Sequence, residues 1–299
     1  MEHHFGSIPD YPFQEAVLRY GQEKQRQNAN SYVISYKYRL QVFLDRFGDL
    51  NVADITPAMI QDYADERIEE SKLATVQKEL AILKAILNKA RREGRLMVTP
   101  TFPRLKKLPG RTRWLTPDEE KRLLAASASH LRPLIAFAVD TGGRRSELLR
   151  LDWRQVDLER NTVTFTKTKN GEDRSIRLTD RARETLQDLS PKDSGPVFTY
   201  GGKAFKEFKN SFDSAREKAG LEDFRFHDLR HTFASRLVQK GIPLYEVMHL
   251  TGHKTLEMVQ RYSHLAPDYQ ARAIAALNSY GTELAHSPRP ESAQNGISA

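Results

Sequence analysis

The side chains best suited to chemistry are concentrated in residues 226–265, FHDLRHTFASRLVQKGIPLYEVMHLTGHKTLEMVQRYSHL. His227 and Arg230 stand three residues apart at the head of an apolar-periodic run. His253 follows a Thr-Gly turn, and Tyr262 comes nine residues later. Residues at i and i+3 share a helical face, and Leu229, Phe233, Leu237 and Val238 make an apolar stripe at helical spacing. Gly241 and Pro243 stop that helix. His227 and Arg230 therefore leave its first turn, where free backbone N–H groups and the positive dipole end favour an anion. A guanidinium forks onto two phosphate oxygens, and an imidazole donor adds a third contact. Two donors on one helix, a third at the start of another, and a phenol suit phosphate chemistry. In isolation, His227 and Arg230 read more simply as helix caps. His227/His231 and His249/His253 are also spaced four apart, as metal-binding pairs are. No Glu completes an H-E-x-x-H arrangement and the chain has no Cys, so no metal site is expected.

The totals limit what such a site can serve. The chain has 299 residues, enough for one to three domains with real cores. Hydrophobic residues make up 39% and charged residues 29%, a globular balance. Lys plus Arg number 47 against 39 acids, a formal charge of +8, which suits a polyanion partner, most simply nucleic acid. The absence of Cys excludes a disulfide framework, a thiol nucleophile and zinc fingers, and fits a reducing cytosol. No 18-residue apolar run predicts a membrane span, and the N-terminus MEHHFGSIPD lacks the apolar region of a signal peptide.

The elements that must position the site follow in chain order. Residues 12–95 read as four helices: Pro12 to Gln25, Ser31 to Phe47, one opening at Thr56-Pro57, and Leu73 to Arg92. Joined by short loops, they predict a small bundle. From Thr99 to Arg113, Pro100, Pro103 and Pro109 forbid a helix. There Arg104, Lys106, Lys107, Arg111 and Arg113 place five positive charges with no acid between them, an extended basic linker suited to a DNA backbone or simply to solvent. Thr116-Pro117-Asp118-Glu119 opens a second domain with a capping box. A largely apolar helix, Leu131 to Asp140, leads to TGGRRSELLRL, where two glycines turn the chain and put Arg144 at a helix start, with Glu147 one turn on to orient it. Asn161 to Thr179 is the clear β segment, two alternating arms around Asn170-Gly171, with Lys167 and Lys169 on the incoming arm. Lys203 to Ala219 reads as an amphipathic helix and Asp268 to Tyr280 as another. His286 to Ala299 is rich in Ser, Pro and Gly and reads as disordered.

TGGRRSELLRL, the hairpin TFTKTKNGEDRSIRL, HDLRHTFAS, LTGHKT and QRYSHL occur in that order. Together they resemble the tyrosine recombinase family, of the phage-integrase type, over nearly the whole chain. The resemblance implies a mainly α fold with a small β-sheet (α+β). It divides the chain into an N-terminal extension (1–11), a helical core-binding bundle (12–98), the basic linker (99–113), a mixed catalytic domain (114–283) and a disordered tail (284–299). Carried over residue by residue, it makes Tyr262 the nucleophile and Arg144 and Arg230 the phosphate clamp. Lys169 becomes the general acid, with Lys167 the alternative. His227 and His253 become phosphate donors and proton-handling groups, with Glu147 in support. Gly143 departs from the bulkier apolar residue often found at that place, which is expected to loosen the turn. Many relatives carry a further N-terminal domain for arm sites. Only eleven residues precede the first helix here, so either arm sites are not used or the chain is shortened.

The chemistry these residues would perform balances without a cofactor or metal. The Tyr262 hydroxyl attacks a backbone phosphorus, leaving a 3′-phosphotyrosine and a free 5′-hydroxyl. Two Arg, a Lys and two His stabilise the crowded phosphorane. The bond energy is kept in the phosphotyrosine, so no ATP is needed, and no G-x-x-x-x-G-K-[ST] motif appears. The expected function is site-specific cleavage and rejoining of double-stranded DNA. The resemblance implies a homo-tetramer on synapsed sites, a monomer in free solution, docking of the 268–280 helix on a neighbouring protomer, and accessory DNA-bending or directionality factors. A bacterial cytoplasmic, nucleoid-associated location follows from it. A type IB topoisomerase-like enzyme and a DNA-binding protein that does not cut are the alternatives.

Overall fold

Helical periodicity governs the first third of the chain. The structure, a computed structural model, describes residues 10–27, 30–106, 110–166, 173–205, 207–267, 271 and 273–279. The chain divides into two compact units, Met1–Pro109 and Gly110–Ala299. The first holds α1 (Phe13–Gln27), α2 (Asn30–Phe47), α3 (Pro57–Glu70) and α4 (Leu73–Arg92). Thr56 caps α3 by accepting the Met59 N–H, with Pro57 at its first position. Phe13, Phe43, Phe47, Ile60, Leu83, Ile86 and Leu87 fill the core of this bundle. One carboxylate lies inside it. Glu79, 0% exposed, accepts the Tyr63 hydroxyl at 2.9 Å and the Arg67 fork at 3.1 and 3.0 Å.

The second unit opens with α5 (Pro117–Ala126), whose Thr116/Glu119 capping box is present as the sequence predicts. Then come α6 (Arg132–Thr141), α7 (Arg145–Leu149), β1 (Val156–Asp157), β2 (Thr162–Phe165), β3 (Arg174–Arg177) and α8 (Asp180–Asp188). A second hairpin, β4 (Thr199–Tyr200) and β5 (Lys203–Ala204), is followed by α9 (Lys209–Lys218), α10 (Asp228–Gln239), α11 (Leu244–Thr251) and α12 (Leu256–Gln260). The antiparallel sheet runs β1-β2-β3 with Val163 opposite Ile176 and Phe165 opposite Arg174. Its inner face carries Val163, Phe165, Ile176 and, against the usual pattern, Arg174. The large core joins α6, this sheet, α8 and the Phe205–Phe226 segment. A smaller core binds the back of α10 to α11 and α12 through Ala234, Val238, Val247, Val259 and Tyr262.

The fold is mainly α with small sheets, as the sequence implies. One expectation fails. Residues 203–219 do not form a single helix: Gly201 and Gly202, both at positive φ, turn the chain so that Lys203–Ala204 pairs with Thr199–Tyr200, and the helix starts only at Lys209. Phe205 and Phe208 are buried all the same, because their apolar spacing serves the core from irregular backbone. The hairpin tip with Lys167 and Lys169, Lys107 in the basic segment, Asp268, Tyr269, Tyr280 and the Ser/Pro-rich tail lie outside the described residues; residues 273–279 are helical. Among the described residues, no helix is long and apolar enough to cross a membrane.

Candidate active site

Three guanidinium groups converge on the C-terminal end of α11. Its last carbonyls have no intrahelical partner and carry the negative end of the helix dipole. Leu250 O accepts from Arg174 Nη1, Thr251 O from Arg230 Nη2, and Gly252 O from Arg144 Nη2 at 2.6 Å. Gly252 ends the helix in the left-handed region at φ 65°, and the Arg174 side chain passes so close that a Cβ there would meet its Cδ at 3.0 Å.

The three arginines arrive from separate elements. Arg144 follows the Gly142-Gly143 turn that ends α6. Gly142 is left-handed at φ 60°, and its carbonyl accepts Arg230 Nη1 at 2.8 Å, tying the turn to α10. Gly143, expected to leave the turn loose, is buried: Leu148 and Phe165 close over it, with Leu148 Cδ2 2.7 Å from where a Cβ would lie. Arg230 sits in the first turn of α10 and is 2% exposed. Arg174 enters from β3, its guanidinium 4.8 Å from the centre of the Phe165 ring.

One carboxylate serves two of them. Glu147 Oε1 accepts Arg144 Nη1 at 2.6 Å, while Oε2 accepts the Arg144 backbone N–H and Arg174 Nη2, each at 2.9 Å. Burial raises the Glu147 pKa, but these hydrogen bonds and the two cations outweigh it and hold the group below the ordinary carboxylate range. Burial, and then the charges of Arg144 and Arg174, pull Arg230 down to about 9. The centre therefore holds positive charge in excess of its carboxylate. Among the described residues, the Arg174 Nε is buried without a partner.

The other candidates surround this cluster. His253 donates through Nδ1 to the Thr251 hydroxyl at 2.6 Å, since that hydroxyl itself donates to Val247 O. Burial first, then Arg230 and Arg144, bring His253 down to about 3. His227 is exposed at the head of α10, and desolvation by its surroundings, then Arg230, lowers its pKa. Tyr262, 0% exposed, is pushed up to about 12 by burial. Its hydroxyl meets His231 Nδ1 at 2.5 Å.

The fold thus brings Arg144, Glu147, Arg230, His227, His253 and Tyr262 into one region of the second unit. Lys169 and Lys107 fall outside the described residues. Arg104 and Lys106 are exposed in the first unit. Arg111 and Arg113 depart from the picture of free linker charges. Arg111 pairs with Asp228 at 3.0 Å, and Arg113 with Glu119 at 2.7 Å and Asp223 at 3.2 Å, because carboxylates on the second unit lie within reach. Sequence reasoning missed Arg174 and gave His231 only as half of a metal pair. Arg174 had a signal: it shares strand parity with Ile176 and Leu178, the inward residues. His231 had none beyond its place beside Arg230.

Comparison with known proteins agrees with this arrangement. The phage integrase family matches residues 113–268. The integrase of Salmonella phage P22 is 29% identical over 97% of this chain and 87% of its own length. A shufflon-specific DNA recombinase of Escherichia coli is 34% identical over 72% of this chain, which spans 59% of that protein. Among solved structures, the Tn1549 transposon integrase in complex with a circular-intermediate DNA superposes with a TM-score of 0.71 at 18% identity, covering 88% of this chain and 99% of the other. A lambda integrase tetramer bound to a Holliday junction gives 0.68 at 23% identity, covering 85% and 83%. The matched region includes the arginine cluster, both histidines and Tyr262, and on this evidence the chain belongs to the phage integrase family of tyrosine recombinases, enzymes that transfer DNA strands.

Proposed function

We propose that this chain is a site-specific DNA recombinase that cuts and rejoins double-stranded DNA through a 3′-phosphotyrosine on Tyr262. The observation that carries the reading is the arginine cluster: Arg144, Arg174 and Arg230 are gathered on three successive carbonyls with one carboxylate between them. A desolvated centre with surplus positive charge suits a phosphodiester and the phosphorane formed from it. Arg144 and Arg230 take the non-bridging oxygens, and Glu147 holds Arg144 in its rotamer. The arriving phosphate adds negative charge, which raises the pKa values of His227 and His253 and lets them donate. Lys169, in the segment of the sequence between β2 and β3, delivers a proton to the departing 5′-oxygen. No step draws on ATP, because the phosphotyrosine conserves the bond energy.

The helical unit, residues 12–98, and the exposed Arg104 and Lys106 grip the flanking duplex. Four protomers, the number in the lambda integrase tetramer bound to a Holliday junction, assemble on two sites and exchange strands. Accessory DNA-bending factors and a location with the bacterial nucleoid belong to the same reading.

The test is a nicked suicide duplex built on a site selected from random-sequence DNA by its binding. Mixed with the protein and denatured, it should yield a slow covalent band that Tyr262→Phe abolishes while binding persists. A band that survives in Tyr262→Phe moves the nucleophile elsewhere, and binding without any band supports a protein that does not cut.

A further inference from the structure

The Tyr262 hydroxyl is closed off from solvent, so water cannot accept its proton where it lies. Its hydrogen bond runs to His231 Nδ1 at 2.5 Å, with the two rings 5.8 Å apart and inclined at 53°. A neutral phenol in this contact donates, so Nδ1 is the acceptor and the imidazole proton is on Nε2. Both residues are anchored. His231 follows Arg230 on α10, in which every residue from Asp228 to Ser235 is buried, and Tyr262 belongs to the small core shared by α10, α11 and α12. The acceptor is thus one residue along the helix from an arginine of the phosphate clamp. His227, the histidine that the family resemblance offers for proton handling, is exposed at the head of the same helix, and its ring meets the edge of His231 at 5.1 Å.

We propose that His231 is the catalytic proton acceptor for the Tyr262 nucleophile and the residue that fixes the direction of its hydroxyl. The inference rests on Tyr262 being the nucleophile. In the cleavage step the Tyr262 Oη–phosphorus bond forms and the phosphorus–O5′ bond breaks. The phenol proton passes to His231 Nδ1, and the departing oxygen takes a proton from the general acid. On resealing, the 5′-hydroxyl returns its proton to the group that served as general acid and displaces the phenolate, which recovers its proton from His231.

The environment decides the timing. Burial, then His227, bring His231 to about 4, with Arg261 and Arg230 acting the same way and Asp228 opposing. His231 in turn helps to lower His253. With the Tyr262 phenol pushed up and the His231 imidazole pulled down by the same burial, a preformed phenolate–imidazolium pair is disfavoured. The proton therefore moves as the new phosphorus–oxygen bond forms, when the phenol becomes acidic. Asp228, buried one turn before His231, supplies the negative charge that favours the transient imidazolium.

The experiment uses the full chain and two suicide duplexes, one ordinary and one with sulfur in the bridging 5′ position, which leaves without an acid. His231→Asn keeps a hydrogen-bond acceptor near Nδ1 that cannot take a proton, and His231→Ala removes both functions. Covalent complex should form about 10^2 to 10^4-fold more slowly in both variants at neutral pH, on both substrates, with DNA affinity retained. A more acidic phenol, 3,5-difluorotyrosine at position 262, should restore much of the rate in His231→Asn. Wild-type or faster cleavage by His231→Asn overturns the proposal, as does a slowed variant that the acidic phenol fails to improve. If His231→Ala does not fold, His231→Asn with its phenol rescue still decides. Failure of the underlying reading looks different: wild-type protein then forms no covalent complex, or Tyr262→Phe still forms one.

Discussion

Replacing Glu147 with Gln should destabilise the second unit by about 3 kcal/mol or more. Glu147 is the carboxylate shared by Arg144 and Arg174, with hydrogen bonds of 2.6 to 2.9 Å. At an effective dielectric near 20, each charge pair about 4 Å apart is worth about 4 kcal/mol before desolvation. The amide keeps the shape but not the charge. It leaves Arg174, buried and already crowded by Arg144, with a cation on one side and no anion on the other. Removing one partner from a buried pair costs about 3 to 5 kcal/mol for that reason.

The assay follows from the placement of tryptophan. Both tryptophans, Trp114 and Trp153, belong to the second unit, so their fluorescence reports its unfolding alone. For a unit of this size, 3 kcal/mol corresponds to a midpoint lower by about 6 to 12 °C. The pH dependence supplies a sign. The folded pKa of Glu147 lies below its unfolded value, so its contribution is complete above the ordinary carboxylate range and disappears as pH falls through the folded value. The gap between wild type and Glu147→Gln should therefore be flat from pH 8 to about 5.5 and close in acid. A loss under 1 kcal/mol, or a gap that widens in acid, would refute the reasoning.

Arg230→Ala should slow covalent complex formation by about 3 kcal/mol in activation free energy, with a smaller loss in binding, as expected of a preorganised donor; equal losses in both would make Arg230 a binding residue only. The second unit should also lose stability between pH 7 and pH 5. His231 and His253 titrate at about 4 and 3 when folded, below their unfolded range, so the unfolded chain binds more protons there. His231 alone accounts for about 2 kcal/mol at pH 5, and an unchanged acid slope in His231→Asn would count against this assignment. In the first unit, Glu79→Ala should cost about 3 to 5 kcal/mol by stripping Tyr63 and Arg67 of their buried acceptor; urea unfolding followed by far-UV circular dichroism would show the effect in the helical unit while the tryptophan signal stays in place.

Local pattern carried much of the architecture. Apolar spacing and the Thr56-Pro57 start outlined the four helices of the first unit, and strand alternation put Val163, Phe165 and Ile176 on the buried face of the sheet. The candidate side chains were legible where type and spacing coincide, as with His227 and Arg230 on one helical turn. The failures occurred where the deciding partner was remote. Gly201-Gly202 paired two short strands and ended the helical pattern expected over 203–208, since a turn in the left-handed region cannot continue a helix. Arg111 and Arg113 read as free charges because Asp223, Asp228 and Glu119 are not their neighbours in the basic segment.

The sequence by itself determined which groups could bind a phosphodiester and in what order they occur. Only the tertiary structure decided how they are held. Arg144 reaches Gly252 across 108 residues, Arg230 reaches Gly142 across 88, and Arg174 reaches Leu250 across 76. No local periodicity encodes those contacts. They arise because packing brings the unpaired carbonyls at the end of α11 against the turn after α6 and the inner face of β3, and buried guanidinium groups take the acceptors that the folded core leaves open.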